Sequence, residues 1–509
     1  MTDTLIVKKK NEAQLIIDCE PGVARELSDF FTFFVPGYKF MPAYKNRIWD
    51  GKIRLYDQRT KELPAGLFSY LSEFADVREY NILIEDSDYY GRPDTTAQID
   101  DGYIKDFIQG LTLTAGGKKI EARDYQINAF SHALEHKRGV LLSPTASGKS
   151  LIIYLLVRWY LQYHDKQVLI VVPTTSLVEQ MSSDFADYSQ YDDNFHEEDI
   201  HKIYAGKDKF DKNSKVVITT WQSIYKLKAG WYQPFGMVIG DEAHNFKAKS
   251  LTSIMSNCTE AAYRIGTTGT LDGTQTHTLV LEGLFGKIHN VISTKELMEK
   301  DAVSQLDITV LLLKYADQYC KEISKAKYQE EVQFIVGYEP RNKFIRNLAL
   351  DLDGNTLILF NLVEKHGKPL FNMIQEKVNE NPRNQRKVFF VSGQTDVDTR
   401  ESVRAITEKE TDAIIVASLG TFSTGINIRN LHNVCFASPS KSQVKVLQSI
   451  GRGLRKADDN RTTRLFDLAD DLHWKSRKNY TLEHAAVRIQ MYTKEHFDYK
   501  VYEVELKDA

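Results

Sequence analysis

Short apolar runs rich in β-branched residues alternate with longer amphipathic segments twice along this chain. Between about residues 110 and 290 the runs are 140–142, 168–172, 216–219 and 237–239, and from residue 291 the pattern restarts with 357–360, 388–391, 413–416 and 434–436. Such runs suit parallel strands buried on both faces by crossover helices, and flanking Gly, Pro and Asn residues favour strands over pieces of buried helix. Two α/β halves in series are expected, each a parallel sheet with flanking helices. The first 85 residues follow neither rhythm. They mix short apolar runs with a basic and aromatic segment at 38–61, as a small α/β domain would, and a polar stretch at 85–101 reads as a linker. The expected division is 1–90, 91–290 and 291–509.

Length agrees with this count, since 509 residues at roughly 100 to 200 per domain give about three domains. Hydrophobic residues at 42% and charged residues at 27% describe a chain that folds throughout and exclude a disordered one. A formal charge of −3 means that any surface for a polyanion must be local. Cys19, Cys258, Cys320 and Cys435 lie far apart, with no CxxC pair, so they support neither a disulfide framework nor a zinc site. The N-terminus has the wrong charge order for a secretory signal, and no apolar stretch approaches the roughly 20 residues of a membrane span. A soluble, cytoplasmic monomer without a membrane partner is the expectation.

The segment Ser143-Pro144-Thr145-Ala146-Ser147-Gly148-Lys149-Ser150 follows one strand-like run and opens a helix-like run at Leu151. Between strand and helix, backbone N–H groups and the helix N-terminus can cradle phosphate oxygens, Lys149 can add charge on the outer phosphates, and the Ser150 hydroxyl can bind Mg²⁺. The match is imperfect: Ser143 stands where Gly or Ala is usual, and Ala146 where Gly is frequent. A polar strand-to-helix turn is the bland alternative. Asp241 and Glu242 end the 237–239 run, at the edge of an α/β sheet where ligands bind. Asp241 can hold Mg²⁺ and Glu242 can orient and deprotonate the water attacking a γ-phosphate. Alone, this pair would equally suit a solvated acidic turn. Together with Lys149, in this chain order, it favours ATP hydrolysis. Gln448, Arg452 and Arg455 lie in the second half, the arginines three apart on one expected helical face; an arginine delivered to the γ-phosphate can be worth about 10³ to 10⁵ in rate. By itself that face would more often be solvated.

The loop at Lys149, the tetrad Asp241-Glu242-Ala243-His244 and the Gln448–Arg455 segment resemble motifs I, II and VI of the superfamily 2 helicases, in order. Arg123-Asp124-Tyr125-Gln126 resembles the adenine-reading glutamine motif, residues 171–180 with Pro173 and Thr174 resemble motif Ia on the nucleic-acid track, and 218–223 with Thr220 and Trp221 sit where motif Ib or Ic belongs. Gly266–Leu271, containing Thr268, Gly269 and Thr270, resembles motif III, which with His244 couples hydrolysis to strand movement. Residues 357–360 resemble motif IV, and Gly420–Asn427, with Thr421 and Gly425, motif V. The resemblance spans about Arg123 to Arg455. It implies two tandem RecA-like P-loop domains, ATP and Mg²⁺ as cofactors, and an arginine, Arg455 assisted by Arg452, that gates the chemical step. Residues 48–57 (IWDGKIRLYD), the motif Ia wording and 266–271 are more closely similar to the UvsW-type phage recombination and repair helicases. That likeness implies action on single-stranded and branched DNA and on RNA–DNA hybrids such as R-loops, with 3′ to 5′ movement.

Between residues 38 and 61 seven Lys or Arg face two Asp, with Tyr38, Phe40, Tyr44, Trp49 and Tyr56 interleaved. Cations track phosphates and aromatics stack on bases, so Lys45, Arg47, Trp49, Lys52 and Arg54 are candidate nucleic-acid contacts. An ordinary small domain whose aromatics form its core is the alternative, for Trp49 and Phe40 above all. At the level of function, a duplex translocase without strand separation competes with a helicase, and an ATP-switched binding protein is disfavoured by Glu242.

Overall fold

The computed structural model describes residues 3–85, 99–204, 208, 209, 211, 213–246, 248–271, 274–380, 386–425, 428, 430–438, 442–454 and 462–507. One compact unit comprises residues 1–143 and 148–291, and a second comprises 144–147 and 292–509. Most of the stretch expected to be a linker, and Arg455, lie outside the described residues.

The chain opens with a mixed four-stranded sheet in the order Glu62–Pro64, Gln14–Asp18, Thr4–Lys9, Asn81–Glu85. Alternation along the first two strands sends Leu5, Val7, Leu15 and Ile17 to one face. The Pro21–Phe30 and Phe68–Val77 helices cover that face with Val23, Leu27, Leu71 and Phe74. This layer is seated on the α/β body of its own unit. Leu279 of the Gln275–Phe285 helix enters its core, and a Cβ on Gly66 would stand 1.9 Å from the Glu282 carbonyl. The Tyr70 hydroxyl donates to the Glu282 carboxylate at 2.5 Å.

Behind it stands a seven-stranded parallel sheet in the order Ile200–Ile203, Val216–Thr220, Gln167–Val172, Phe235–Asp241, Tyr263–Thr268, Arg138–Leu142, Ile288–Asn290. Gln167–Val172 and Phe235–Asp241 at its centre are buried almost along their length, which is why they read as compact apolar runs. The second unit repeats the plan with seven parallel strands, Val388–Val391, Ile414–Ser418, Thr356–Phe360, Asn433–Phe436, Thr463–Asp471, Leu306–Lys314, Tyr499–Glu505. Numbered within each sheet, both orders are third, fourth, second, fifth, sixth, first, seventh. All eight expected strands are present. The edge and long strands Tyr263–Thr268, Leu306–Lys314, Thr463–Asp471 and Tyr499–Glu505 escaped a search for compact apolar runs, because charged or polar residues interrupt all four.

Candidate nucleotide and nucleic-acid sites

The first strand of the first sheet, Arg138–Leu142, runs into Ser143 and the Lys149–Tyr163 helix. The turn between them is built from two left-handed residues, Ala146 at φ 71° and Gly148 at φ 79°. This pattern turns successive backbone N–H groups to one side, as an anion cradle requires. Buried Ser143 donates its N–H to the Thr268 carbonyl at 2.8 Å and accepts the Lys149 ammonium on its own carbonyl at 3.1 Å; Ser147 donates to the Pro144 carbonyl at 2.7 Å. Pro144, Thr145 and Ala146 form the half-buried turn. The loop is therefore folded around its own carbonyls, with Lys149 drawn back along it. Ser150 Oγ lies 2.9 Å from the Tyr188 hydroxyl, at the end of the Thr175–Tyr188 helix.

Gln126 is buried at the start of the Asp124–His136 helix. Its Oε1 accepts the Arg123 backbone N–H at 2.9 Å, and its Nε2 donates to the Gly148 carbonyl at 3.4 Å. The Arg123 guanidinium donates to Tyr125 at 2.9 Å. The glutamine motif thus sits directly behind the phosphate loop.

Asp241 and Glu242 close the Phe235–Asp241 strand, two positions from the loop strand in the sheet. Asp241 is buried and accepts the Thr267 hydroxyl at 2.7 Å. Burial, with the Glu242 charge adding, holds its carboxyl above the usual range, and Lys149 and Thr267 only partly offset this. Among the described residues no cation pairs with Asp241. A buried carboxylate short of positive charge fits the hard oxygen donor set that Mg²⁺ takes. Glu242 occupies the left-handed region at φ 51°, uncommon for a non-glycine residue and tolerated where function fixes it. His244 Nδ1 stands 3.3 Å from Glu242 Oε2 and 2.9 Å from Thr268 Oγ1. Thr268 in turn donates to the Thr270 carbonyl at 3.0 Å, around Gly269. A run of close polar contacts therefore joins the acid expected to activate water to the segment resembling motif III.

Motif Ia places half-buried Pro173 and Thr174 at the end of Gln167–Val172, where Thr174 caps the next helix by accepting the Leu177 N–H at 3.4 Å. Thr220 ends the neighbouring strand and shares a 3.0 Å hydrogen bond with Ser223; Trp221 packs edge-on against Tyr225. In the second unit Thr421 is buried and 2.6 Å from Ser418, Gly425 ends the Leu419–Gly425 helix, and Gln448 is buried on the Gln443–Gly453 helix, which also carries Arg452.

The N-terminal segment corrects part of the expectation. Tyr56 is 1% exposed and belongs to the core, so it has no face for a base. Trp49 is half-buried and its indole N–H donates to the Lys52 carbonyl at 2.9 Å; Arg54 pairs with Asp50 at 2.5 Å. Phe40, which looked like a core residue, is outside. Lys45 and Arg47 carry no ion pair among the described residues. Sequence spacing could not separate these cases, because the segment is neither a regular strand nor a regular helix. Tyr188 was also missed, since it lies in no recognisable motif wording; Thr267 lies within the 266–271 segment, and its bond to Asp241 was not legible there.

Comparison with known proteins bears on both ends of the first unit. Residues 5–85 match the family "DNA helicase UvsW, N-terminal" and residues 119–273 the family "Type III restriction enzyme, res subunit". Over 510 aligned residues the chain is 36% identical to the ATP-dependent DNA helicase uvsW of Enterobacteria phage T4, covering 96% of this chain and 97% of that one. The crystal structure of T4 UvsW superposes with a TM-score of 0.52 at 34% identity, over 100% of both chains. A DNA 3′-5′ translocase, XPB2 of Sulfurisphaera tokodaii, is 25% identical over 378 residues, 69% of this chain and 82% of that protein.

Proposed function

Because the chain belongs to the UvsW family and is an ATP-dependent DNA helicase, we propose that its substrates are branched DNA and RNA–DNA hybrids. On this reading it unwinds or branch-migrates forks and four-way junctions and dissociates R-loops in recombination, repair and replication restart. The observation that carries it is the N-terminal layer, which matches the UvsW family over 5–85 and presents exposed Phe40, Lys45 and Arg47, the two cations without an ion pair among the described residues. Residues 1–90, 91–290 and 291–509 would act as nucleic-acid-binding, ATP-binding and C-terminal motor domains.

In the proposed chemistry the Ser143–Ser150 loop binds the ATP phosphates and Glu242 takes the proton of the attacking water. Ser150 and Asp241 would hold Mg²⁺, which when bound supplies positive charge to the phosphate oxygens. Lys149 leaves the Ser143 carbonyl for the outer phosphates. His244 and Thr268 transmit the state of Glu242 to motif III, Gln126 and Arg123 hold the base, and Gln448, Arg452 and Arg455 answer the γ-phosphate. Pro173, Thr174, Thr220, Trp221 and Thr421 line the strand track. No helix among the described residues is long and apolar enough to cross a membrane. A second reading, movement along duplex without strand separation, draws support from the likeness to a protein named as a translocase.

The deciding measurement is steady-state ATPase with single-stranded, duplex, forked and R-loop substrates, with strand displacement scored in the same reactions. Displacement strongest on branched or hybrid forms is expected. Stimulation by duplex without displacement would replace the helicase reading with the translocase one.

A further inference from the structure

Phe40 is 80% exposed and Ile48 79%. Single exposed apolar residues are ordinary; the setting of these two is not. They project from a compact knob made of the Thr32–Phe34 and Lys52–Arg54 hairpin, the Tyr38–Phe40 turn and the short Pro42–Lys45 helix. Across it half-exposed Phe34 stacks on Tyr38 at 4.7 Å, Tyr38 meets Tyr44 edge-on at 4.8 Å, and the Lys52 ammonium lies 5.0 Å from the Phe34 ring centre. The Phe40 N–H donates to the Gly37 carbonyl and the Ile48 N–H to that of Ala43, both at 2.9 Å. The ring contacts and these backbone bonds hold the shape, and the Phe40 and Ile48 side chains stand out from it.

The surroundings are cationic. Lys39, Tyr44, Lys45, Arg47, Ile48, Trp49 and Asp50 line one concavity. Asp50, the one acid between residues 38 and 56, is neutralised by Arg54. Ile48 within that net cationic concavity, and Phe40 next to Lys39 in the chain, suit a ligand that is anionic at its rim and offers a flat apolar face. Continuous duplex hides its base faces in the stack, whereas a branch point exposes the face of its last base pair between two phosphate backbones. The knob is also anchored to the α/β body of its own unit. The Thr276 hydroxyl donates to the Phe34 carbonyl at 3.3 Å, in the first turn of the helix that follows the motif III segment and seats Gly66 and Tyr70.

We infer that Phe40 and Ile48 form a wedge that stacks on the base pair exposed at a DNA branch, with Lys39, Lys45 and Arg47 holding the flanking phosphates. This deepens the branched-DNA reading and rests on it. The test uses the full chain and a fork with 2-aminopurine at the branch-point pair, read as fluorescence on binding without ATP, then as strand separation and as ATPase on single-stranded DNA. The wild type raises the fluorescence. The double variant F40A/I48A loses that rise and separates fork strands roughly tenfold more slowly, about the weight of one lost stacking contact, while single-strand-stimulated ATPase stays within about twofold; F40W restores the rise. An unchanged signal in the double variant overturns the wedge, as does an equal fall in single-strand ATPase. A wild-type dimer that the variant abolishes in sedimentation would assign the tips to a second copy and also overturn it. Failure of the wild type to displace any strand, with the fluorescence rise intact, would remove the helicase reading and leave the wedge standing.

Discussion

On the Thr463–Asp471 strand of the second unit, every buried acid meets a cation. Asp470 takes Arg341 at 2.6 Å and the Tyr315 hydroxyl at 2.8 Å, Asp467 takes Arg488 at 2.7 Å and Tyr492 at 2.8 Å, and Asp471 takes Lys314 at 2.6 Å. In the first unit, on a sheet of the same strand order, Asp241 is as hidden and meets a threonine hydroxyl. Lone buried charge is costly and persists where something else completes it. The contrast separates acids of that strand, each held by a cation, from a buried acid that no cation among the described residues pairs with.

Removing each kind of acid should therefore break different things. For D241N we expect phosphate release to fall roughly 10²- to 10³-fold, as for loss of one preorganised charge-stabilising contact, with a melting temperature equal to or above the wild type. Asparagine keeps an acceptor for Thr267 and sheds the charge that burial disfavours. A clear loss of stability would mean that Asp241 is compensated after all. D470N should do the reverse, leaving Arg341 buried against half a partner. Breaking such a pair costs about 3–5 kcal/mol, read by chemical denaturation, while the turnover of the folded fraction is retained.

Acid should sharpen the same contrast. Burial, with neighbouring histidines and Arg341 respectively adding, pushes His132 down to about 4 and His366 to about 3. Ordinary imidazole titrates near 6.5, so below that pH the unfolded chain binds protons that the fold refuses. The stability these groups preserve is complete above about pH 6.5 and is lost as pH falls toward 4. Asp241, held high, acts in the opposite sense and gains protons first in the fold. Melting temperature should fall between pH 7 and pH 5, less steeply in H132Q. Parallel curves for the two proteins would refute the assignment.

Much of this was legible in the chain because the relevant physics is local. Buried parallel strands must be apolar throughout, so eight of them announced themselves, and a phosphate loop needs its residues contiguous, so Lys149 and Ser150 could be placed on the same helix start. What failed was whatever depends on partners distant in sequence. Asp467, Asp470 and Asp471 interrupt a strand that becomes apolar in effect only once Arg341, Arg488 and Lys314 arrive from elsewhere. Phe40 and Tyr56 are both aromatic neighbours of cations, and only the tertiary fold puts one in water and the other in the core. Tyr188 approaches Ser150 across 38 residues with no wording to mark it.

The smallest expected effect probes one of the two places where the loop departs from the usual pattern. Ala146 and Gly148 both lie at positive φ, the first with a Cβ and the second without. A left-handed alanine is strained by about 1–2 kcal/mol, and replacing it by glycine recovers part of that while giving the unfolded chain more freedom. A146G should therefore stabilise by no more than about 1 kcal/mol and leave the KM for ATP within about twofold. G148A should do the opposite at the neighbouring site, since its new Cβ would fall 2.3 Å from Gln126 Nε2 and push the glutamine motif off the loop. Weaker ATP binding in G148A with little change in A146G is the expected pair, measured by fluorescent-nucleotide titration and thermal melting. If A146G instead destabilises by several kcal/mol, the turn is not left-handed at residue 146, and the cradle must be built from a different set of backbone N–H groups.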